Sequence, residues 1–231
     1  MNDNEFFRYI IVFALLLTVE LFSGNLKPEK GQIKQDLTNI SSYLNTGQEL
    51  PYSNLMGKQK TKAIITFNTA AGFNGNSWYG NPGLWSGTNI TKNLMVSAGL
   101  SRYSGAKQSA RSFGSTLTYI ANSDSTRKTG ILYITAGLNF LEGPSYFDYK
   151  NYHLSLSRKF FMKEYKIIVG FSKHYNQVDL NNMDRNDQKT ISNNYLKGGI
   201  FNRYKNIIYG VELNFWTNYL GMKLNLTCLI P

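Results

Sequence analysis

From Lys62 onward, apolar and polar residues alternate with a period of two, the spacing that sends successive side chains to opposite faces of a β-strand. In Ala63–Phe73, Ile65, Phe67, Ala71 and Phe73 fall on one face, with Thr66, Asn68 and Gly72 on the other. Residues 92–103 repeat the arrangement, setting Leu94, Val96, Ala98 and Leu100 against Ser97, Gly99 and Ser101. Further runs lie at 113–121, 132–140, 152–160, 165–175, 195–201, 209–215 and 220–226, and no helical run interrupts them. Turn signals stand between the runs: 75–87 with Asn81-Pro82-Gly83, Ser104-Gly105, 122–129, Gly143-Pro144, and the polar stretch 176–194. The pattern predicts an all-β meander of hairpins over 62–231.

What occupies the second face decides the sidedness. A soluble sandwich or lipocalin-like barrel also alternates, but it points its apolar face inward and carries charge outside. Here the second face is mostly Gly, Ser, Thr and Asn, which suits a hydrated lumen with an apolar exterior in lipid. Aromatic residues near strand ends (Phe73, Tyr103, Tyr152, Tyr175, Phe215, Trp216 and Tyr219) are expected at the lipid headgroups. Over 62–226 the chain therefore resembles small bacterial outer-membrane β-barrel proteins, in pattern and without a motif that singles out one family. The resemblance implies an antiparallel up-and-down transmembrane barrel of 8–10 strands. Nine runs are visible, and single-chain bacterial barrels carry even numbers. A short strand hidden in 83–90 makes ten, the preferred count, whereas discarding 195–201 makes eight. Such proteins often finish on an aromatic residue, whereas this chain reads Leu229-Ile230-Pro231.

Ahead of the strands, residues 1–24 have the layout of a cleaved secretory signal peptide: Arg8, an apolar run from Tyr9 to Leu17, then Ser23 and Gly24. The run falls short of the ~20 apolar residues that a spanning helix needs. Residues 25–61 are polar, but Ile33, Leu37, Ile40 and Leu44 recur at helical spacing, with Pro28 suited to a first turn. An amphipathic helix is expected there. It reads as an interfacial helix or a plug for the barrel mouth, or, preferred for so short a stripe, as a loosely packed periplasmic lead segment.

Composition narrows the function. A chain of 231 residues suits one domain, and 17% charged with 14% aromatic residues fits strands in a membrane better than a soluble surface. The net charge of +11, or +13 without residues 1–24, is scattered over the chain, and export argues against a nucleic-acid partner. Membrane lipid, lipopolysaccharide phosphates and small anionic solutes are the expected partners. Cys228, the one cysteine, excludes an intrachain disulfide.

Candidate chemistry is sparse. Taking Thr217-Asn218 as a two-residue turn pairs Phe215 with Leu220 and Leu213 with Met222 on the lipid side, and sets Glu212 opposite Lys223 on the lumen side. Those two are expected to form a lumen ion pair, as a gate or, preferred, as a space-filling pair. His153 and His174, the only histidines, fall on the lumen side of neighbouring strands near Ser155 and Ser172. A lipid-modifying hydrolase can be written from them, but polar filling is the preferred reading, because no orienting acid is visible. Neither a metal site nor a cofactor is assigned. The longest expected loops, 74–91 and 176–194, include Trp78, Tyr79 and Trp85, which suit a glycan or protein partner or a rim anchor. The expected function is that of a non-enzymatic outer-membrane barrel, structural or a narrow pore. The alternatives are the hydrolase and a soluble periplasmic barrel holding an apolar ligand.

Overall fold

The computed structural model describes residues 33–52, 63–73, 78–105, 108–121, 130–142, 147–162, 165–180, 187–216 and 219–230. One helix, α1 (Ile33–Gln48), precedes ten strands. They are β1 (Ala63–Phe73), β2 (Trp78–Thr91), β3 (Leu94–Gly105), β4 (Gln108–Ile120), β5 (Ile131–Glu142), β6 (Phe147–Phe161), β7 (Lys166–Leu180), β8 (Asp187–Tyr204), β9 (Ile207–Trp216) and β10 (Tyr219–Ile230). Each strand pairs antiparallel with its sequence neighbour, and β1 pairs with β10 from Ala63↔Ile230 to Phe73↔Leu220, which closes the barrel. Closure leaves no edge strand to solvent or lipid.

Alternation sorts the two faces as the sequence suggests. Thr66, Asn68, Asn139, Asn151, Ser172 and Asn225 are buried inside, while Phe67 (55% exposed), Leu154 (56%) and Leu196 (59%) look outward. An apolar exterior around a polar interior is the polarity of a barrel whose outer surface meets hydrocarbon. No helix among the described residues is long and apolar enough to cross a membrane. The hairpin of β9 and β10 has the expected register, Phe215 facing Leu220 and Glu212 facing Lys223.

The tenth strand is β2, and it is longer than the short strand suspected at 83–90. Asn81-Pro82-Gly83 reads as a turn in sequence, yet Pro82 sits opposite Thr69 of β1. Toward β3 the ladder steps from Gly80↔Ser104 to Gly83↔Ser101, leaving out the proline that has no N–H to give. The 176–194 stretch also shrinks, because β7 runs to Leu180 and β8 starts at Asp187. Its described polar residues, within 176–180 and 187–194, belong to strands.

Three aromatics expected at headgroups lie inside instead: Tyr103 and Tyr219 are buried, and the Trp216 ring stands 6.0 Å from that of Tyr195. Tyr152, Tyr175 and Phe215 are exposed on the outer face. Trp85, expected in a loop, is on β2 with its side chain 1% exposed in the lumen. Its indole lies across Gly99, its cross-strand partner, and Gly114, one strand further on. A side chain at Gly99 would overlap the ring, so the glycine makes the inward indole possible. Trp78 and Tyr79 also belong to β2, opposite Phe73 and Gly72.

Inside the barrel sits α1. Its stripe of Leu37, Ile40 and Leu44 is buried with Tyr103, Leu141, Tyr149, Val178 and Leu180, at the end of the barrel away from Ala63 and Ile230. The polar flank, Ser41, Ser42, Asn45 and Thr46, is buried as well. This polar flank can be buried because the wall it meets is itself polar. Leu50 and Tyr52 then join Ile64, Trp85, Tyr133, Ile168, Phe201 and Leu229 in a second cluster near the strand termini. The lumen is thus apolar at both ends and polar between. The preferred expectation of a loosely packed lead segment is overturned; the segment fills the barrel. Pro28 and the signal-peptide reading of 1–24 lie outside the described residues.

Candidate functional site

The middle of the lumen is organised around Glu49, the first residue after α1. Its amide N donates to the Asn45 carbonyl at 3.1 Å, continuing the helical ladder one residue further. Its side chain therefore leaves the helix end at a fixed angle. One carboxylate oxygen lies 2.5 Å from Lys197 Nζ of β8, and the other 3.0 Å from His174 Nε2 of β7. Lys223 Nζ of β10 donates to the Glu49 backbone carbonyl at 2.9 Å. All four residues are buried. An ionised carboxylate sits inside the barrel because two wall residues compensate it.

The next contacts extend the attachment. Tyr52 N donates to Glu212 Oε1 of β9 at 2.6 Å, and Asn225 Nδ2 of β10 donates to the same oxygen at 2.7 Å. The Lys197 ammonium lies 4.4 Å from the centroid of the Tyr52 ring. Glu212 and Lys223 are cross-strand neighbours and both face inward, but their direct hydrogen bonds go to Tyr52 and Glu49. The two charges clamp the inserted segment from adjacent strands.

Toward the other end, hydroxyls and amides tie α1 to the wall. Tyr103 donates to the Leu44 carbonyl at 2.9 Å, near the helix C-terminus, where carbonyls lack helical partners. The Tyr149 hydroxyl bonds Asn45 Oδ1 at 2.6 Å, Asn45 Nδ2 donates to the Tyr195 hydroxyl at 3.1 Å, and Asn193 Nδ2 donates to Ser41 Oγ at 2.9 Å. A water-sized cavity is lined by Glu49, Leu50, Tyr52, Thr135, His153, Ser155 and Lys197.

His153 and His174 face each other in register on β6 and β7, with ring centroids 5.1 Å apart and planes 16° from parallel. The His153 ring covers Gly137 of β5. His174 Nδ1 lies 3.1 Å from Asn151 Nδ2, and His153 Nδ1 lies 3.3 Å from Asn139 Nδ2. The structure supplies an acid for His174, namely Glu49, which the sequence reading did not connect to it. Among the described residues, the hydrogen-bond partners of both rings are asparagines and that carboxylate, not Ser155 or Ser172. His174 thus contacts the inserted segment directly, and His153 stacks on His174. No group of three or more His, Cys, Asp or Glu suited to a metal occurs among the described residues.

Glu49 and Lys197 were the residues missed. Glu49 stands in a polar stretch with no periodicity beyond the helix, and only the folding of α1 into the barrel brings it to Lys197, His174 and Lys223.

No protein-family model matches the chain, and no curated protein does. Solved structures similar in fold include the KdgM porin in complex with disordered oligogalacturonate, at 11% identity, TM-score 0.42, covering 71% of this chain and 98% of that one. Neisserial surface protein A matches at 11% identity, TM-score 0.36, over 73% and 94% of the two chains. The translocator domain of autotransporter NalP from Neisseria meningitidis matches at 9% identity, TM-score 0.47, over 87% and 99%. The solved structures that this chain resembles are bacterial outer-membrane β-barrel proteins.

Proposed function

We propose that the chain is a non-enzymatic bacterial outer-membrane barrel whose lumen is held shut by its own residues 33–52. The observation that carries the reading is the triple hold on Glu49: carboxylate to Lys197 and His174, backbone carbonyl to Lys223. In this reading residues 1–24 direct export and are removed, and the outer face is surrounded by membrane lipid and lipopolysaccharide. Closed, the barrel serves as an envelope structural or docking protein.

A second, compatible reading is a narrow pore for small anions when the segment is displaced. It is favoured by the wall's own buried charges among the described residues, Lys159, Lys197 and Lys223 against Glu212. Glu49 offsets part of that excess only while the segment is in place. A ten-stranded lumen freed of its helix and lined this way would select anions.

Membrane fractionation and planar-bilayer recording of the purified protein test both readings. Recovery in the outer-membrane fraction with no steady conductance is expected. Deleting residues 25–52 should open an anion-selective current. A steadily conducting full-length protein would remove the closed-lumen reading, and recovery without detergent would remove the membrane reading.

A further inference from the structure

The outer wall carries a like-charge contact that the packing of the barrel does not explain. Arg102 near the end of β3 and Arg111 near the start of β4 are direct cross-strand partners. Both are exposed, while Ser101, Tyr103, Ala110 and Ser112 beside them are buried, so the two arginines share the outer face. Side chains paired in this way have Cβ atoms about 5 Å apart, and like charges at that spacing repel. Glu142 of β5, the partner of Arg111 on its other side, is exposed as well. One carboxylate beside two guanidiniums leaves a positive excess.

The surface directly beneath is apolar. Two residues further into each strand, about 7 Å along it, stand Leu100 and Phe113, which are themselves partners. Leu84 and Phe140 extend that row onto β2 and β5, and all four side chains are 40–50% exposed. In the membrane reading this row meets hydrocarbon. The arginines stand just beyond it, at the mouth away from Ala63 and Ile230. A guanidinium fork there is shaped to take phosphate oxygens in pairs.

We infer that Arg102 and Arg111 form a docking site for the phosphate monoester of an acylated sugar, the lipid A end of lipopolysaccharide, whose acyl chains lie against Leu84, Leu100, Phe113 and Phe140. Two features select this occupant. A phosphate monoester carries up to two negative charges near neutral pH, matching two guanidiniums. The phosphodiester of a phospholipid carries one, and a zwitterionic headgroup brings a cation of its own. The apolar row also spans four strands, three spacings of ~4.8 Å, which suits a lipid with several chains. Bound phosphate turns the repulsion between the arginines into a pair of charge-assisted hydrogen-bonding forks. The inference deepens the membrane reading above and rests on it, but not on whether the lumen ever conducts.

Titration of the full-length protein in detergent with purified lipid A, followed by native mass spectrometry, tests it. Saturable binding is expected. It should weaken roughly tenfold or more in the double variant Arg102→Gln/Arg111→Gln. It should be retained in Arg158→Gln, whose arginine is exposed on β6 near the other mouth. Two further probes on the unaltered protein, lipid A stripped of its phosphates and phosphatidylglycerol in the same detergent, make the result independent of how well the double variant folds. Both should bind weakly. Equal binding of the dephosphorylated lipid, or undiminished binding by a folded double variant, overturns the site. Phosphatidylglycerol bound as tightly as lipid A overturns the glycolipid as its occupant. Each of those outcomes leaves the barrel reading in place, whereas a protein recovered without detergent removes both.

Discussion

The carboxylate of Glu49 and the ammonium of Lys197, 148 residues apart in sequence, meet at 2.5 Å with neither exposed to solvent. Removing one partner of such a pair leaves a buried charge uncompensated, at a cost of roughly 3–5 kcal/mol. Glu49→Gln is therefore expected to loosen residues 33–52 without dismantling the strands. Bilayer recordings should show conductance that the unaltered protein lacks, while the electrophoretic mobility of the unheated, folded barrel is retained.

Glu212 offers a finer test, because its role depends on one acceptor oxygen. Glu212→Gln keeps an oxygen for Tyr52 N and Asn225, whereas Glu212→Ala leaves a buried N–H unsatisfied at a cost of about 1–3 kcal/mol. The alanine variant should conduct more than the glutamine variant. Equal currents from the two would show that the hydrogen bond to Tyr52 does not hold the segment.

Gly99→Val should displace Trp85, since the added side chain would occupy the space of its indole. The expected readout is a red shift of tryptophan emission together with weaker resistance to thermal unfolding. Gly198→Ala is the control, because nothing lies within 4 Å of its added carbon.

Leu196 tests the outer surface. It is exposed between Phe171 and Phe215 on neighbouring strands. An arginine there would face hydrocarbon, at about 2–4 kcal/mol if the position is near the midplane. Denaturant titration in lipid vesicles should detect that loss, and a much smaller one in a detergent micelle.

Much of the barrel was legible because a period of two records which face each residue occupies. The β9–β10 register followed from one two-residue turn. β2 was obscured because its glycines and Pro82 are turn residues in isolation, and only pairing with β1, with Asn68 against Gly83 and Ser97 against Gly87, explains them. Tyr103, Trp216 and Tyr219 were misplaced for a related reason. An aromatic near a strand end can point to headgroups or into a filled mouth, and alternation cannot say that the mouth is filled. The inserted helix carried the largest correction. Its apolar stripe was visible, but its polar flank looked like a solvent face, and nothing local reveals that the solvent is replaced by asparagines, tyrosines and serines of the wall.

The seam between β1 and β10 sets an order of events. Of the ten staves, the one that completes the cylinder is the last to be made and its mate the first, so the ring cannot shut until all ten exist. The helix, made earlier still, is walled in on every side only once the seam from Ala63–Ile230 to Phe73–Leu220 is closed. A chain that shuts empty has no strand edge left through which to take its helix in, and must admit it through a mouth.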